Sequence, residues 1–271
     1  MRRSAVYWGI GLIGLGLLWL VDSLGLLPFD LSGVVFPILL ILAGIWVIWG
    51  LSGARRSAGA TALRAPLEGA SSLELDLRHM GGRLRLDGSS TEPDGLTAQF
   101  ATAARQEMVR GGGMLKLRLY PADDWAILAA PWAWQPGNLP HWAVHVPTTV
   151  PARLQVQTNA AEAALDLSAV QLSGLHLRTN ASSCVVSLPS PHGVVPVRIE
   201  GNATAIRIRF DPAAAAQITA HADLGTIHAD PGRFSQVGPV YTTADLDRAV
   251  DRYEVTISVR AGSAELTVAD A

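Results

Sequence analysis

The sequence has little charge and almost no cysteine. Only 16% of its 271 residues are charged, against roughly 25% in ordinary soluble domains, and the formal net charge is −2. The single cysteine, Cys184, excludes a disulfide framework and a multi-cysteine metal or iron–sulfur site. The near-neutral charge excludes a polybasic nucleic-acid-binding protein. We therefore expect no nucleic-acid partner, no metal and no cofactor.

Charge is scarcest near the start of the chain, where only Asp22 and Asp30 are charged between Ser4 and Gly53. The apolar runs 5–21 and 34–51 would each measure about 26 Å as helices, just enough to cross a bilayer core. Aromatic side chains that favour a membrane interface lie near the run ends: Tyr7, Trp8, Trp19, Trp46 and Trp49. Residues 1–52 are therefore predicted to form a transmembrane helical hairpin in contact with membrane lipid.

Arginine placement predicts the orientation of this hairpin. Arg2 and Arg3 precede the first run, Arg55 and Arg56 follow the second, and the loop between the runs has no Lys or Arg. Because basic residues stay on the cytoplasmic side, both termini are predicted to be cytoplasmic in a multi-pass inner-membrane protein. The pattern G-x-G-x-x-G at 9–14 falls inside the first run, where helix packing explains it better than nucleotide binding.

A different pattern follows a short polar linker, predicted at 53–66. From there on apolar residues alternate with polar ones, as in Leu73, Leu75 and Leu77, and no long 3.6-residue period occurs. Period two is typical of strands with one buried face. Residues 67–271 are therefore predicted to be an all-β domain.

The second half of the chain repeats with a period of 21 or 22 residues, from Asn159 to Asn180, Asn202 and Asp223, and Gly262 restores the pattern later. Apolar pairs stand before and after these positions. Asn, Asp and Gly suit a tight turn with a positive φ, so each unit is predicted to be strand, turn, strand. Such a period favours stacked rungs, a β-solenoid-like body. Period two alone also allows an antiparallel β-sandwich.

Catalytic motifs are missing from the sequence. His141 and His145 fall on a predicted strand, where four residues span about 13 Å, too far for one zinc ion. The remaining histidines are scattered and are expected to be solvated or to cap turns. Cys184 is in phase with Val186 and Leu188, so its thiol should point inward and be structural. These patterns favour a protein that is not an enzyme.

Half of all tryptophans lie in one segment, 125–142, which also contains three prolines. One interpretation is a plug that closes the open end of a stacked β-body. The other is an exposed patch, centred on Trp132 and Trp134, that binds a partner. The sequence leaves both open.

Two stretches of the chain resemble known families. Residues 8–16, 24–27 and 36–46 resemble the LiaI/LiaF-like transmembrane region. The Ala164–Ser168 segment, the Thr-Asn-Ala turns and residues 241–268 resemble the toastrack-type domain of bacterial membrane proteins. The second resemblance implies a β-repeat fold. Together they imply an envelope protein, since LiaF-like proteins restrain a membrane histidine kinase in responses to cell-wall antibiotics.

The leading hypothesis is therefore a LiaF-like modulator of a cell-envelope stress two-component system, acting by contact with a histidine kinase or with itself. The alternative is a membrane-tethered scaffold that self-assembles through its β-repeat domain.

Overall fold

Fifteen β-strands make up the part of the chain that the computed structural model describes, residues 61–89, 95–101, 104–122 and 141–269. In chain order they are β1 Thr61–Pro66, β2 Ser72–Ser89, β3 Gly95–Phe100, β4 Ala104–Gly111, β5 Met114–Pro121, β6 His141–Pro147, β7 Ala152–Asp166, β8 Leu172–Asn180, β9 Ser183–Ser187, β10 Val194–Asn202, β11 Thr204–Phe210, β12 Ala215–Ala229, β13 Phe234–Val237, β14 Val240–Thr243 and β15 Arg252–Val268. One 3₁₀ helix, Leu246–Arg248, lies between β14 and β15. β1 occupies the last six residues of the predicted linker.

The strands form rungs, each with a first arm, a corner and a second arm. A rung is either one long bent strand or two consecutive strands. In spatial order, rungs 1 to 6 are β2, β7, β8 with β9, β10 with β11, β15 and β12. Neighbouring rungs pair in parallel along both arms, for example Leu154 with Leu175 and Leu165 with Val186. The β-repeat prediction is confirmed, and parallel pairing of whole units is the arrangement that distinguishes stacked rungs from an antiparallel sandwich.

The stacking order differs from the chain order at one end. β15 pairs with β10 and β11 on one side and with β12 on the other, so the last rung in the sequence lies between its two predecessors. Additional strands cover much of both ends. Along the first arm of rung 1, β5 pairs in parallel with β2 and β4 pairs antiparallel with β5. Along the second arm, β6 pairs in parallel with β2, and β3 and β1 follow in antiparallel pairing. At the other end, β14 and β13 add antiparallel strands beyond the first arm of rung 6.

The core lies between the two arms. Alternation places the apolar residues of every rung inward, and all of the following are buried: Leu75, Leu77, Leu154, Val156, Leu175, Leu177, Val197, Ile199, Val255, Ile257, Ile218 and Ala220. At the ends of the arms away from the corners, Phe210 packs edge-on against Phe234 and Tyr253. The Tyr253 hydroxyl donates to the Pro189 carbonyl at 2.8 Å, which satisfies its buried polar group.

One part of the predicted architecture is corrected. Over the described ranges the chain forms strands with alternating burial, and no helix there has the length and apolarity to span a membrane. This contradicts the membrane-anchored fold class with its two-helix hairpin, and the multi-pass inner-membrane location that followed from it. The predicted spans 5–21 and 34–51 lie outside the described residues, as do the interface aromatics Tyr7, Trp8, Trp19, Trp46 and Trp49.

Candidate interaction surface

The predicted turn residues lie at the corners of the rungs. Asn180 pairs with Asn159 on one side and Asn202 on the other, and its side-chain amide donates to Asn159 Oδ1 at 2.8 Å. The positive φ angles fall on the residues after these asparagines: Ala160 (49°), Ala181 (47°) and Ala203 (52°). The asparagines therefore stack as a ladder, while the alanines make the bend.

The other two predicted turn residues lie at the far end of the stack. Asp223 contacts His221 at 3.0 Å, and both side chains are exposed. Gly262 pairs with Thr204 rather than with Asn202, two residues further along the corner than the repeat spacing suggested. Its φ of +118° and its close approach to the Thr204 carbonyl explain why this position requires glycine.

Hydroxyl groups complete the inside of these corners. Thr204 Oγ1 donates to the Ser182 carbonyl at 2.6 Å, and Ser182 Oγ donates to the Asn180 carbonyl at 2.7 Å. The Ala161 amide in turn donates to Ser182 Oγ. Because corners leave backbone groups outside the strand ladder, these bonds satisfy groups that would otherwise be buried unpaired.

A polar groove of about 450 Å³ lies on the outer face of rungs 1 and 2, beside β5 and β4. It forms because β5 runs parallel to β2 and brings Arg118 opposite Asp76. Its lining residues, called the groove residues below, are Asp76, Arg78, Met80, Glu107, Arg118, Leu119, Tyr120, Pro121, Gln157 and Asn159. No local sequence pattern marks this groove, since its members meet only through strand pairing.

The charged groove residues are paired with one another. Arg118 contacts Glu107 at 3.5 Å and Asp76 at 4.0 Å, and Arg78 contacts Asp76 at 3.9 Å. Tyr120 donates to Glu107 Oε1 at 2.7 Å. This bond and the Arg118 charge lower the pKa of Glu107, and the same bond raises the pKa of Tyr120. A carboxylate with a lowered pKa is a poor general base near neutral pH, so the groove is better suited to recognition than to proton transfer.

A second charged cluster surrounds Glu200 on the outer face of rungs 3 and 4. Arg198 donates to it at 2.7 Å and Arg178 at 3.0 Å, and His176 Nε2 lies 3.4 Å away. Burial pushes the pKa of Glu200 upward, but the two arginines and the histidine outweigh it and lower the pKa. The cluster carries more basic than acidic groups, and its members are paired with one another.

The two tryptophans of the predicted patch, Trp132 and Trp134, lie outside the described residues, but Trp142 from the same segment is buried. Its ring packs edge-on against Phe100 at 4.7 Å and beside His79 at 5.1 Å. This one member of the segment therefore belongs to the core, as the plug interpretation requires of it. The plug and patch interpretations remain open for the rest of the segment.

His79 departs from the expectation that the histidines are solvated or cap turns. It is 1% exposed, and neither ring nitrogen has a hydrogen-bond partner. Burial, with a smaller contribution from His141, lowers its pKa to about 4, so the ring is neutral at physiological pH. By contrast, His145 contacts the Asp87 carboxylate on the outer face, and His141, His192 and His228 are exposed.

Metal-binding arrangements do not occur in the described residues. No three His, Cys, Asp or Glu side chains in this part of the chain could hold a metal ion together. Cys184 is buried as predicted, and burial raises the pKa of its thiol to about 12. A protonated buried thiol is unreactive, so it contributes packing rather than chemistry.

Comparison with known proteins assigns the family. The model of the N-terminal domain of toast_rack, DUF2154, matches residues 54–208, more than half of the chain. The chain belongs to the toast_rack family. A solved structure of a candidate cell adhesion protein from Clostridium sporogenes has a TM-score of 0.65 and 14% identity, and covers 78% of this chain and 100% of its own. At that identity the likeness shows the fold alone. None of the curated proteins matches the chain.

Proposed function

We propose that this toast_rack protein is a non-enzymatic regulator of a cell-envelope stress response, acting by contact with a histidine kinase. Family membership supports a β-repeat protein without catalytic function. The resemblance to LiaF-like proteins supplies the finer role. The groove carries the proposal structurally, because it presents arginine, carboxylate, tyrosine and amide groups on a rigid outer face.

The composition of the groove suits protein recognition. Arginine and tyrosine are enriched in protein interfaces, where they supply planar hydrogen bonding and contact area. Arg118 is half exposed and Arg78 is 63% exposed, so both can exchange their internal ion pairs for those of a partner. Pro121, a groove residue, also leads directly into the segment with Trp132 and Trp134. Two candidate contact regions are therefore adjacent in sequence.

The test is site-specific photocrosslinking of the full chain in bacterial cells. A photoreactive amino acid at Gln157, inside the groove, should capture a histidine kinase. The matched control is Ser258, an exposed position on the same outer face of rung 5. Equal capture from both positions, or capture of second copies alone, would contradict the proposed function.

The alternative, a scaffold that assembles end to end, requires unprotected strands at both ends of the stack. The end beside rung 1 is covered along both arms by additional strands, and the outermost of these carry Arg64 and Pro66 in β1 and Arg105 and Arg110 in β4. Charged residues and proline at an edge discourage further strand pairing. The structure therefore supports the regulator more than the scaffold.

A further inference from the structure

One backbone edge at the opposite end differs from all the others. The second arm of rung 6, residues 224–229 of β12, pairs with β15 on one side and with no described strand on the other. Leu224 is 81% exposed, and the inward-facing Ile227 is only partly buried, although Ile206 and Ile208 of the inner rung 4 are fully buried.

This edge lacks the usual protection against pairing. Residues 224–229 read Leu-Gly-Thr-Ile-His-Ala, without Lys, Arg, Asp, Glu or Pro. The edges of β1 and β4 carry such residues, and β13 is only four residues long. An unprotected edge is a template for another strand.

The direction of the free backbone groups follows from the pairing with β15. The Asp230 amide donates to the Leu266 carbonyl, so residue 230 points toward β15. Because backbone groups alternate sides along a strand, Gly225, Ile227 and Ala229 direct their N–H and C=O groups to the free edge. The inward-facing residues of this arm therefore carry the unpaired donors and acceptors.

We infer that a second copy of the chain pairs with this edge, antiparallel and about a two-fold axis through Ile227. In this register Ile227 faces the partner's Ile227, and Gly225 faces the partner's Ala229, with two backbone hydrogen bonds for each pair. Side chains that face each other lie on the same side of the sheet. Pairing therefore continues the inward apolar face across the axis and covers Ile227.

The outward side chains are compatible with the same register. Thr226 faces the partner's His228, and Leu224 faces the partner's Asp230, so no like charges oppose each other. A two-fold contact of this kind is closed, because each copy uses its free edge once. The product is a dimer rather than a fibre. This inference does not depend on the partner proposed above.

The experiment measures the mass of the full chain by light scattering over a range of concentrations. The wild type should show twice the 28.7 kDa of one chain. The variant Thr226→Lys with His228→Lys opposes like charges across the axis and should raise the dimer dissociation constant about tenfold. The matched control, Thr226→Glu with His228→Lys, opposes unlike charges and should remain dimeric. Both positions are exposed, so neither variant should affect folding of the single chain.

Disulfide trapping tests the register. In a Cys184→Ala background, Thr226→Cys with His228→Cys places thiols in a non-hydrogen-bonded pair, where Cα atoms about 4.5 Å apart permit a disulfide. Oxidation should give a covalent dimer, and Thr226→Cys alone should not. A monomer at every concentration, an open series of larger species, or a dimer that neither the lysine variant nor trapping affects would each overturn the inference.

Discussion

Replacing Gly262 with alanine should strongly destabilise the protein. Gly262 has a φ of +118°, which L side chains rarely adopt, and the strain of such a conformation costs about 1–3 kcal/mol. A Cβ at this position would also lie 1.9 Å from the Thr204 carbonyl oxygen and 2.8 Å from two further Thr204 backbone atoms. Because backbone atoms cannot rotate away, the pairing of β11 with β15 would have to open.

The expected magnitude follows from adding these two effects. Overpacking typically costs about 1–3 kcal/mol, so Gly262→Ala should lower the free energy of unfolding by about 2–6 kcal/mol in total. Gly193 provides the matched control. It also has a positive φ, +73°, but a Cβ there would meet nothing within 4 Å. Gly193→Ala should therefore lose only the conformational part, about 1–2 kcal/mol.

Urea denaturation of the two variants and the wild type, at one protein concentration, measures the difference. The slope against denaturant should stay the same, since neither change alters the surface exposed on unfolding. Equal losses in the two variants would refute the reasoning. They would mean that the corner relaxes around the new methyl group and that the carbonyl contact does not determine the identity of residue 262.

Three further predictions concern buried groups. In the folded protein His79 has a pKa of about 4 and is neutral near pH 7. As the pH falls below 6.5, the unfolded state binds a proton at His79 before the folded state does. The free energy of unfolding should therefore drop by about 2 kcal/mol between pH 7.5 and 5. In urea titrations at several pH values, His79→Leu should remove this part of the pH dependence, whereas His228→Gln, at an exposed position, should retain it. The same pH dependence of the free energy of unfolding in both variants would contradict the assignment to His79. Cys184 should resist Ellman's reagent at pH 8 until denaturant unfolds the chain. As a control, an exposed Thr256→Cys thiol in a Cys184→Ala background should react at once. Rapid labelling of Cys184 in the native protein would contradict this prediction and show that its site opens locally. Tyr253→Phe should lower the free energy of unfolding by about 1 kcal/mol, because the buried hydrogen bond to Pro189 is lost. Tyr120→Phe should change it very little, because the bond to Glu107 is exposed. A larger drop in melting temperature for Tyr120→Phe than for Tyr253→Phe would contradict this.

Alternation and repeat spacing were sufficient to predict the strands of the rungs and the corners at the three asparagines. Leu75, Leu77 and the residues in phase with them occupy the core because period two fixes which face of a strand is buried. The same alternation, continued from Leu77, places His79 inward. That signal was present in the sequence but was outweighed by the rule that histidines are usually solvated.

The spatial order of the rungs could not be predicted from the period. A repeat shows that units are alike, but not which unit neighbours which. In the unit at Asp223 the inward position level with Ile208 of rung 4 is the small residue Ala229, and this unit is the terminal rung. With no following rung to pack against, its second arm needs fewer large inward side chains.

The groove could not be predicted because it depends on pairing between distant strands. Arg118 and Asp76 meet only because β5 runs parallel to β2, and Glu107 arrives through the β4–β5 hairpin. No local motif marks these residues. The histidine pair and the tryptophan segment, by contrast, are visible as local patterns in the sequence.

The position of β15 has a consequence for how the chain matures. A ribosome makes residues 215–229 before residues 252–268, yet the later rung lies between the earlier one and rung 4. Rung 6 therefore has no stacking partner along its length until the final strand arrives to join both sides. Until then an emerging chain exposes two apolar arms and their unpaired backbone, the kind of surface that chaperones bind. Completion of the body is tied to the synthesis of its last strand, so premature termination before residue 252 should yield a chain prone to degradation rather than a shorter working version.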